Sequence, residues 1–468
     1  MKLVRILFVL ALLLAEVAVL DASKADASPT QATMLQDDGD LLYGSPALRD
    51  SRLDEFKSLG VDIVKVRVRW RDVAPTRPNN PSDPASYGAS WDPYQAIIDG
   101  ASARGMGVLF QLGGTAPEWA TAGKGPVNRP SPTAFKNFVQ AVGSRFPQVT
   151  TFSVWNEPNL VSWLAPQVKG GVPQSPRIYR NLLNAAASGL AASGHSGGEL
   201  LLGELLPFAR SSREAKKRTR PLAFLRELAC VDRKYRPFRG STAKKRGCKG
   251  FKALPGTGLA YHPYTLAGGP NVRTPHPDDA SIRDLSRVTR VLSKLGSKKR
   301  LQTRSMPIWI TEFGFQTNPP DRYASPIKKV PGFMGQSEFI AFKNRRVASY
   351  SQYPLIDDKG RDTGFQSGLR FSSGKKKKGV FDAFRHPFWA HRSGSRVELF
   401  GGVRAASGGT VTLESKVGRK GKWKALGTVT MNSRGYFDKG FRPSSPSKRY
   451  FRFKAEGVTS RVATASTH

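Results

Sequence analysis

Between about residue 30 and residue 385, short apolar runs alternate with helical patterns, and this alternation restricts the fold more than any other feature of the chain. Strand-like runs fall at 32–36, 61–70, 107–112, 149–155, 200–206, 258–262, 307–312 and 347–355. Helical patterns fall at 48–59, 93–104, 132–145, 177–192, 221–229, 281–295 and 336–346, with an eighth near 379–384. Regular strand–helix alternation favours parallel strands joined by helical crossovers. Eight such units in about 350 residues fit an α/β fold of the (β/α)8 TIM-barrel type with insertions. An open doubly wound sheet would want a glycine-rich first strand–helix turn, and no early strand here is followed by one.

The pattern changes near His386-Pro387. Runs at 397–400, 410–415, 423–430, 436–437 and 450–453 are short, lack helical period and are separated by Gly, Pro, Ser and Lys turns. They read as a small antiparallel β-sandwich, giving a barrel domain over 28–386 and an accessory domain over 387–468. Within the latter, Trp423 and Tyr436 are weak candidates for a sugar platform on an otherwise structural unit. The Lys375–Lys378 run reads as a solvated loop.

The first 27 residues have a different character. Lys2 and Arg5 precede an apolar run, 6–14, and Ala25-Asp26-Ala27 offers a small-x-small cleavage site. That is the layout of a secretory signal peptide, too short in its apolar part for a membrane span, and no later run is apolar for long enough to make one. A secreted or envelope-associated protein is expected. The two cysteines, Cys230 and Cys248, then read most simply as a disulfide. Without neighbouring histidines they cannot complete a metal site.

Two segments carry chemistry. Val154-Trp155-Asn156-Glu157-Pro158-Asn159 ends the fourth predicted strand, and Ile308-Trp309-Ile310-Thr311-Glu312-Phe313-Gly314 ends the seventh. Strand C-termini ring the mouth of a TIM barrel. A carboxylate closing an apolar strand costs several kcal/mol unless something compensates it. Two converging on one mouth suit glycoside cleavage, where one protonates the departing oxygen and the other meets the oxocarbenium-like carbon.

The Trp-Asn-Glu-Pro and Thr-Glu-Phe-Gly pair resembles glycoside hydrolase clan A, the retaining four-seven superfamily. The likeness is nearest to its family five and family thirty-nine branches and runs along the barrel from about residue 32 to 386. The resemblance implies Glu157 as general acid/base, Glu312 as nucleophile and Asn156 as partner of the sugar 2-hydroxyl. His262 and Tyr264, in Ala260-Tyr261-His262-Pro263-Tyr264, match the clan's His-x-Tyr, with Tyr264 orienting the nucleophile. It implies no metal and no organic cofactor. Two positions depart from the pattern. Lys65 stands where the second strand commonly carries Arg, which leaves Arg67, one inward-facing step along, as the residue beside the nucleophile. The eighth strand lacks the usual Trp, so Gln352 or Tyr353 takes its place.

Trp119 and Trp163, in loops at the mouth, are candidates for stacking on sugar faces. Glu118 and Glu204 also lie near strand ends but outside the two motifs, and read as structural or peripheral. The charge balance, 74 Lys and Arg against 35 Asp and Glu for a net +39, implies nonspecific adhesion to polyanions. No zinc-finger spacing, aromatic RNA-binding box or helix-turn-helix accompanies it, so no specific nucleic-acid partner is expected. Arg210, Arg213, Lys216, Lys217 and Arg218, after the fifth strand, are placed to read an anionic sugar. A carbohydrate substrate, neutral or acidic, is therefore expected. The alternative, a catalytically silent glycan- or polyanion-binding envelope protein, explains the charge but not the glutamate pair.

Overall fold

In the computed structural model, which describes residues 28–121, 123–208, 218–265, 268–360, 362–443, 447–455 and 457–467, the eight expected strands run parallel. They are β1 (Ala32–Gln36), β2 (Ile63–Val68), β3 (Gly107–Leu112), β4 (Thr151–Val154), β5 (Glu199–Leu205), β6 (Gly258–Tyr261), β7 (Ile308–Ile310) and β8 (Val347–Gln352). Each pairs with its neighbour in sequence, and β8 closes on β1 with Ala32 opposite Ser349 and Leu35 opposite Gln352. The result is a TIM barrel. The expected leader at 1–27 and the candidate anion readers Arg210, Arg213, Lys216 and Lys217 lie outside the described residues.

Among the described residues the longer helices, one after each strand, are α1 (Pro46–Ser58), α2 (Asp92–Ala103), α3 (Pro132–Arg145), α4 (Ser175–Ala192), α5 (Pro221–Leu228), α6 (Leu285–Ser297), α7 (Val330–Phe342) and α8 (Lys378–Arg385). Their starts are written in the sequence. Ser45 accepts the amide of Leu48 before Pro46, and Ser131 accepts that of Ala134 before Pro132. A side-chain oxygen thus satisfies an orphan N–H while proline presets the first turn. Tyr94, Ile97, Ile98 and Ala101 place one buried stripe of α2 against the barrel. α7 begins six residues before the sequence reading, because Pro331 starts its first turn. Among the described residues no helix is long and apolar enough to cross a membrane.

Strand alternation sets the barrel interior in layers. Met34, Ile63, Leu109, Leu201, Ala260 and Trp309 fill the lower layer and form their own apolar cluster. Two residues further along the strands the same faces carry Lys65, Gln111, Ser153, His262, Thr311 and Ser351, all fully buried. The interior therefore turns from apolar to polar towards the strand C-termini.

The C-terminal domain packs two antiparallel sheets. One joins β9 (Phe388–Ser393), β10 (Arg396–Gly402) and β13 (Tyr436–Phe441); the other joins β12 (Lys424–Thr430), β11 (Thr410–Val417) and β14 (Arg449–Ala455), with short strands at Val458–Thr459 and Ala463–Thr464. Phe388, Leu399 and Phe437 from the first sheet meet Leu413, Phe451 and Phe453 from the second. β9 is absent from the sequence reading, since its Trp389, His391 and Arg392 obscure the alternation.

The sandwich is docked on the barrel. Phe400 and Tyr436, on the outer side of the first sheet, pack on Phe339 and Phe342 of α7. Arg404 is buried between the domains, its Nη2 donating to Glu338 of α7 at 2.5 Å and its Nε to the carbonyl of Phe384 at 2.6 Å. Gly60 has φ +72°, and a Cβ there would lie 2.2 Å from the Ala405 nitrogen, so the approach admits only glycine. This corrects the reading of Tyr436 as a sugar platform: it is buried, and its hydroxyl donates to Glu338 at 2.6 Å. In the Lys375–Lys378 run, Lys375, Lys376 and Lys378 are exposed as expected, and only Lys377 departs from the reading. Lys377 is buried, with Nζ 2.7 Å from Asp357 and 2.8 Å from Thr317 Oγ1, so it fastens the β8–α8 loop.

Cys230 and Cys248, 18 positions apart, form a disulfide in the α5–β6 connection. Closing a loop of this length stabilises by about 2–4 kcal/mol, chiefly through the unfolded chain. The Cys230→Ser/Cys248→Ser variant is expected to show a lower urea midpoint at unchanged slope. An unchanged midpoint would mean that the loop's own packing suffices.

Candidate active site

The backbone leaves β4 under strain. Trp155 has φ +68° and Glu157 φ +35°, the left-handed region that costs a non-glycine residue about 1–3 kcal/mol. Packing offsets that cost. Trp155 is fully buried edge-on against Phe135 at 5.7 Å, and its indole donates to the Trp163 carbonyl at 2.9 Å. The Glu157 amide donates to the Glu204 carbonyl at 3.0 Å. The bend brings Asn156 and Glu157, both buried, to the mouth.

Across the barrel, Glu312 follows β7 and is 4% exposed, so its charge must be met locally. Tyr264 donates its hydroxyl to Oε2 at 3.2 Å. Arg67 Nη2 lies 3.4 Å from Oε1, and Lys65 Nζ lies 3.7 Å from the same oxygen. Asn156 Oδ1 accepts from Gln111 Nε2 at 2.7 Å and from Arg67 Nη2 at 3.2 Å. Its oxygen is thus engaged, and its N–H groups remain for a ligand.

His262 joins the two glutamates. Its Nδ1 is 3.2 Å from Glu157 Oε1 and 3.4 Å from Glu312 Oε2, and its Nε2 is 2.5 Å from Glu204 Oε2. Glu204 is fully buried, and three further groups meet it: Lys65 Nζ at 3.0 Å, Ser153 Oγ at 2.5 Å and Thr311 Oγ1 at 2.6 Å. Burial would raise its pKa, but Lys65, then His262 and Ser153, hold it well below the usual carboxylate range. Burial would likewise lower the histidine; Glu312, Glu157 and Glu204 outweigh it and lift His262 to about 9. The site therefore sets three cations, Lys65, Arg67 and imidazolium, among three carboxylates.

Ligand atoms of Glu157, His262 and Glu312 all lie within 4.8 Å of one another, close enough to hold a metal ion. Lys65 and Arg67, 3.7 and 3.4 Å from the Glu312 carboxylate, already supply positive charge there and oppose a further cation.

A pH dependence follows. The folded value of about 9 stands above that of a free imidazole, about 6.5. The imidazolium therefore stabilises fully below pH about 6.5, and that contribution is lost as pH rises towards 9. The thermal midpoint is expected to fall across this window more steeply for the parent than for His262→Gln. Parallel profiles would remove the imidazolium.

Glu157, Glu312, Asn156, Arg67, His262 and Tyr264 thus converge on one mouth. Trp163 joins them, its ring centroid 5.0 Å from the Arg67 guanidinium. Trp119 is turned away: its indole donates to the Ala74 carbonyl at 3.0 Å, and its ring lies edge-on to buried Trp70 at 5.8 Å. Gln352 is also spent elsewhere. Its amide donates to the Ser367 carbonyl at 2.7 Å and holds the β8–α8 loop. Tyr353 instead faces the site, its hydroxyl pKa raised by burial and then by Glu312. Arg218 lies beside the β4–α4 loop, bridged to Leu160, with Nη1 3.4 Å from the Phe208 carbonyl.

Sequence reasoning gave Lys65, Gln111 and Phe365 no role in the site, and read Glu204 as structural or peripheral. Phe365, from the β8–α8 loop, lies 6.2 Å from Tyr264 and 4.9 Å from Tyr353, ring to ring. Glu204 reaches the interior through a bulge between Gly203 and Leu205. A Cβ at Gly203 would lie 2.5 Å from the Ala260 carbonyl, so only glycine permits it. The available signal was a lysine and a glutamate, each inside an apolar strand, that could compensate each other.

No family model and no curated protein sequence matches the chain. Solved structures share the fold. A family 39 glycoside hydrolase from the gut symbiont Bacteroides cellulosilyticus WH2 superposes with a TM-score of 0.52 at 14% identity, covering 88% of this chain and 81% of that one. A GH5_18 protein from Streptomyces cattleya, solved in complex with GlcNAc, gives 0.50 at 15% identity, covering 77% and 80%. Both families lie in clan A, the clan that the Trp-Asn-Glu-Pro and Thr-Glu-Phe-Gly segments resemble.

Proposed function

We propose that this chain is an exported, retaining glycoside hydrolase acting on O-glycosidic bonds of a poly- or oligosaccharide. One observation carries the reading: carboxylate oxygens of Glu157 and Glu312 lie within 4.8 Å of each other across the mouth. Double displacement uses carboxyl groups about 5–5.5 Å apart, whereas inversion needs about 6.5–9.5 Å to admit a water.

In the first step a Glu312 oxygen attacks the anomeric carbon while the glycosidic C–O bond breaks. Glu157, in its acid form, passes its proton to the departing oxygen. Tyr264 and Arg67 hold Glu312 through its two oxygens, fixing the direction of attack. Asn156 offers an N–H to the hydroxyl beside the anomeric carbon. In the second step Glu157 takes a proton from water, the water oxygen bonds to the anomeric carbon, and Glu312 is released. Trp163, Tyr353 and Phe365 supply ring faces for sugar. The leader-like N-terminus and the disulfide support a place outside the cytoplasm.

The test is reducing-end release from a panel of neutral and uronic polysaccharides, with the anomeric configuration of the first product read by NMR. Release with retained configuration is expected. An inverted product would overturn double displacement, and no release from any glycan would favour a silent binding protein.

A further inference from the structure

The α5–β6 connection is far longer than the few residues that such connections ordinarily need. Of its four arginines, Arg233, Arg236 and Arg239 are exposed, the first two paired with Asp278 at 3.7 Å and Asp232 at 2.8 Å, and Arg246 is turned inward. Arg246 pairs with Glu227 at 2.8 Å and lies over Phe238. Arg300, from the α6–β7 turn, lies 4.0 Å over Phe251 and donates to the Ala229 carbonyl at 2.9 Å. Arg180 of α4 donates to the Gly247 carbonyl at 2.8 Å. With the disulfide, these contacts fasten the lobe to α4 and α6 as one surface, joined further by the bridge between Leu254 and Leu301.

The lysines are left outside. Lys244, Lys245, Lys249 and Lys252 of the lobe, and Lys298 and Lys299 of the adjoining turn, are all exposed. None has a carboxylate within ion-pair distance among the described residues. Between residues 229 and 257 the sequence holds nine Lys and Arg against one acidic residue, Asp232, and Arg236 takes Asp232 at 2.8 Å. The surface lies at the strand N-termini, on the pole opposite the catalytic mouth. Like charges held together on a cross-linked scaffold repel one another, and a polyanion relieves that repulsion by releasing its own counterions.

We infer that this lysine surface is a docking site for an acidic polysaccharide chain, separate from the catalytic mouth. The six exposed lysines act as point charges and suit anionic groups spaced along a flexible polymer, whereas the planar forks of Arg233 and Arg236, which could read phosphate bidentately, are taken by Asp278 and Asp232. The lobe's phenylalanines lie under guanidiniums, so they offer no free face for stacking bases. A polymer held at this pole leaves the mouth open. The inference does not depend on the hydrolytic reading.

The test uses the full chain and two variants of equal charge loss: Lys244→Ser/Lys245→Ser/Lys249→Ser/Lys252→Ser in the lobe, and Lys420→Ser/Lys422→Ser/Lys424→Ser/Lys439→Ser in the sandwich. Binding to polygalacturonate is titrated across a sodium chloride series, with single-stranded DNA as comparator. The lobe variant is expected to bind at least about tenfold more weakly, with a shallower dependence on log salt, as removal of several ionic contacts requires. The sandwich variant should change less than about threefold. Lys298→Ser/Lys299→Ser, on a different segment, should reproduce part of the loss if the quadruple lobe variant folds poorly. Equal losses from lobe and sandwich overturn the proposal, as does a lobe that holds single-stranded DNA as tightly as polygalacturonate.

Discussion

Glu312→Gln is expected to lower turnover by about 10⁴- to 10⁶-fold on every glycoside, because it replaces the carboxylate that bonds to the anomeric carbon by a weakly nucleophilic amide. The change is nearly isosteric and removes one negative charge from a site where Lys65, Arg67 and His262 remain, so the fold should survive. Glu157→Gln is expected to behave differently. Losing acid catalysis costs about 10²- to 10⁴-fold where the leaving group needs a proton. An aryl glycoside with an acidic phenol needs none in the first step, so its glycosyl-enzyme should still form and then accumulate. The measurement is a pre-steady-state burst of phenol release, close to one per active site, in Glu157→Gln and absent in Glu312→Gln. A burst in Glu312→Gln, or parent-like turnover in either variant, would remove that residue from its role.

The parts of the site that the sequence made legible share one property: they end strands. Glu157 and Glu312 follow apolar runs whose period marks them as strands, and a barrel gathers all such ends at one mouth. Arg67 was found from the resemblance, which expects an arginine on this strand, together with parity, because residues two apart on a strand share a face. What stayed hidden depends on contacts between distant segments. Glu204 sits in an apolar strand where its alternation is broken by a bulge, so parity could not say that it points inward. Its partners Lys65 and His262 lie 139 and 58 positions away. Gln352 and Tyr353 are adjacent, and only the path of the β8–α8 loop decides which faces the sugar. Tyr436 and Lys377 were misread for a related reason. Each belongs to a buried polar contact made by two elements that the sequence shows separately.

Lys65→Met is expected to cost about 3–5 kcal/mol, read as a lower denaturant midpoint, because it strands the Glu204 carboxylate in the barrel interior. Ser153 and Thr311 would still donate to it, yet neutral donors replace only part of an ammonium at 3.0 Å. Adding Glu204→Gln should restore most of the stability. The amide oxygen can accept from Thr311 and the His262 Nε2–H while the amide NH2 donates to the Ser153 hydroxyl, and no buried charge is left unmatched. A double-mutant cycle should therefore give a coupling well beyond additivity. Activity should not recover with stability. Without the Glu204 charge, His262 loses one of the three carboxylates that lift it to about 9, so its folded value drops. The alkaline limb of kcat/KM is then expected to move to lower pH in the double variant, although the protein is folded. Lys65 and Glu204 would in that case act through His262 on the two catalytic glutamates. If the double variant instead keeps the parent's alkaline limb, the pair is a structural device alone. If the two substitutions simply add, it is not a pair at all.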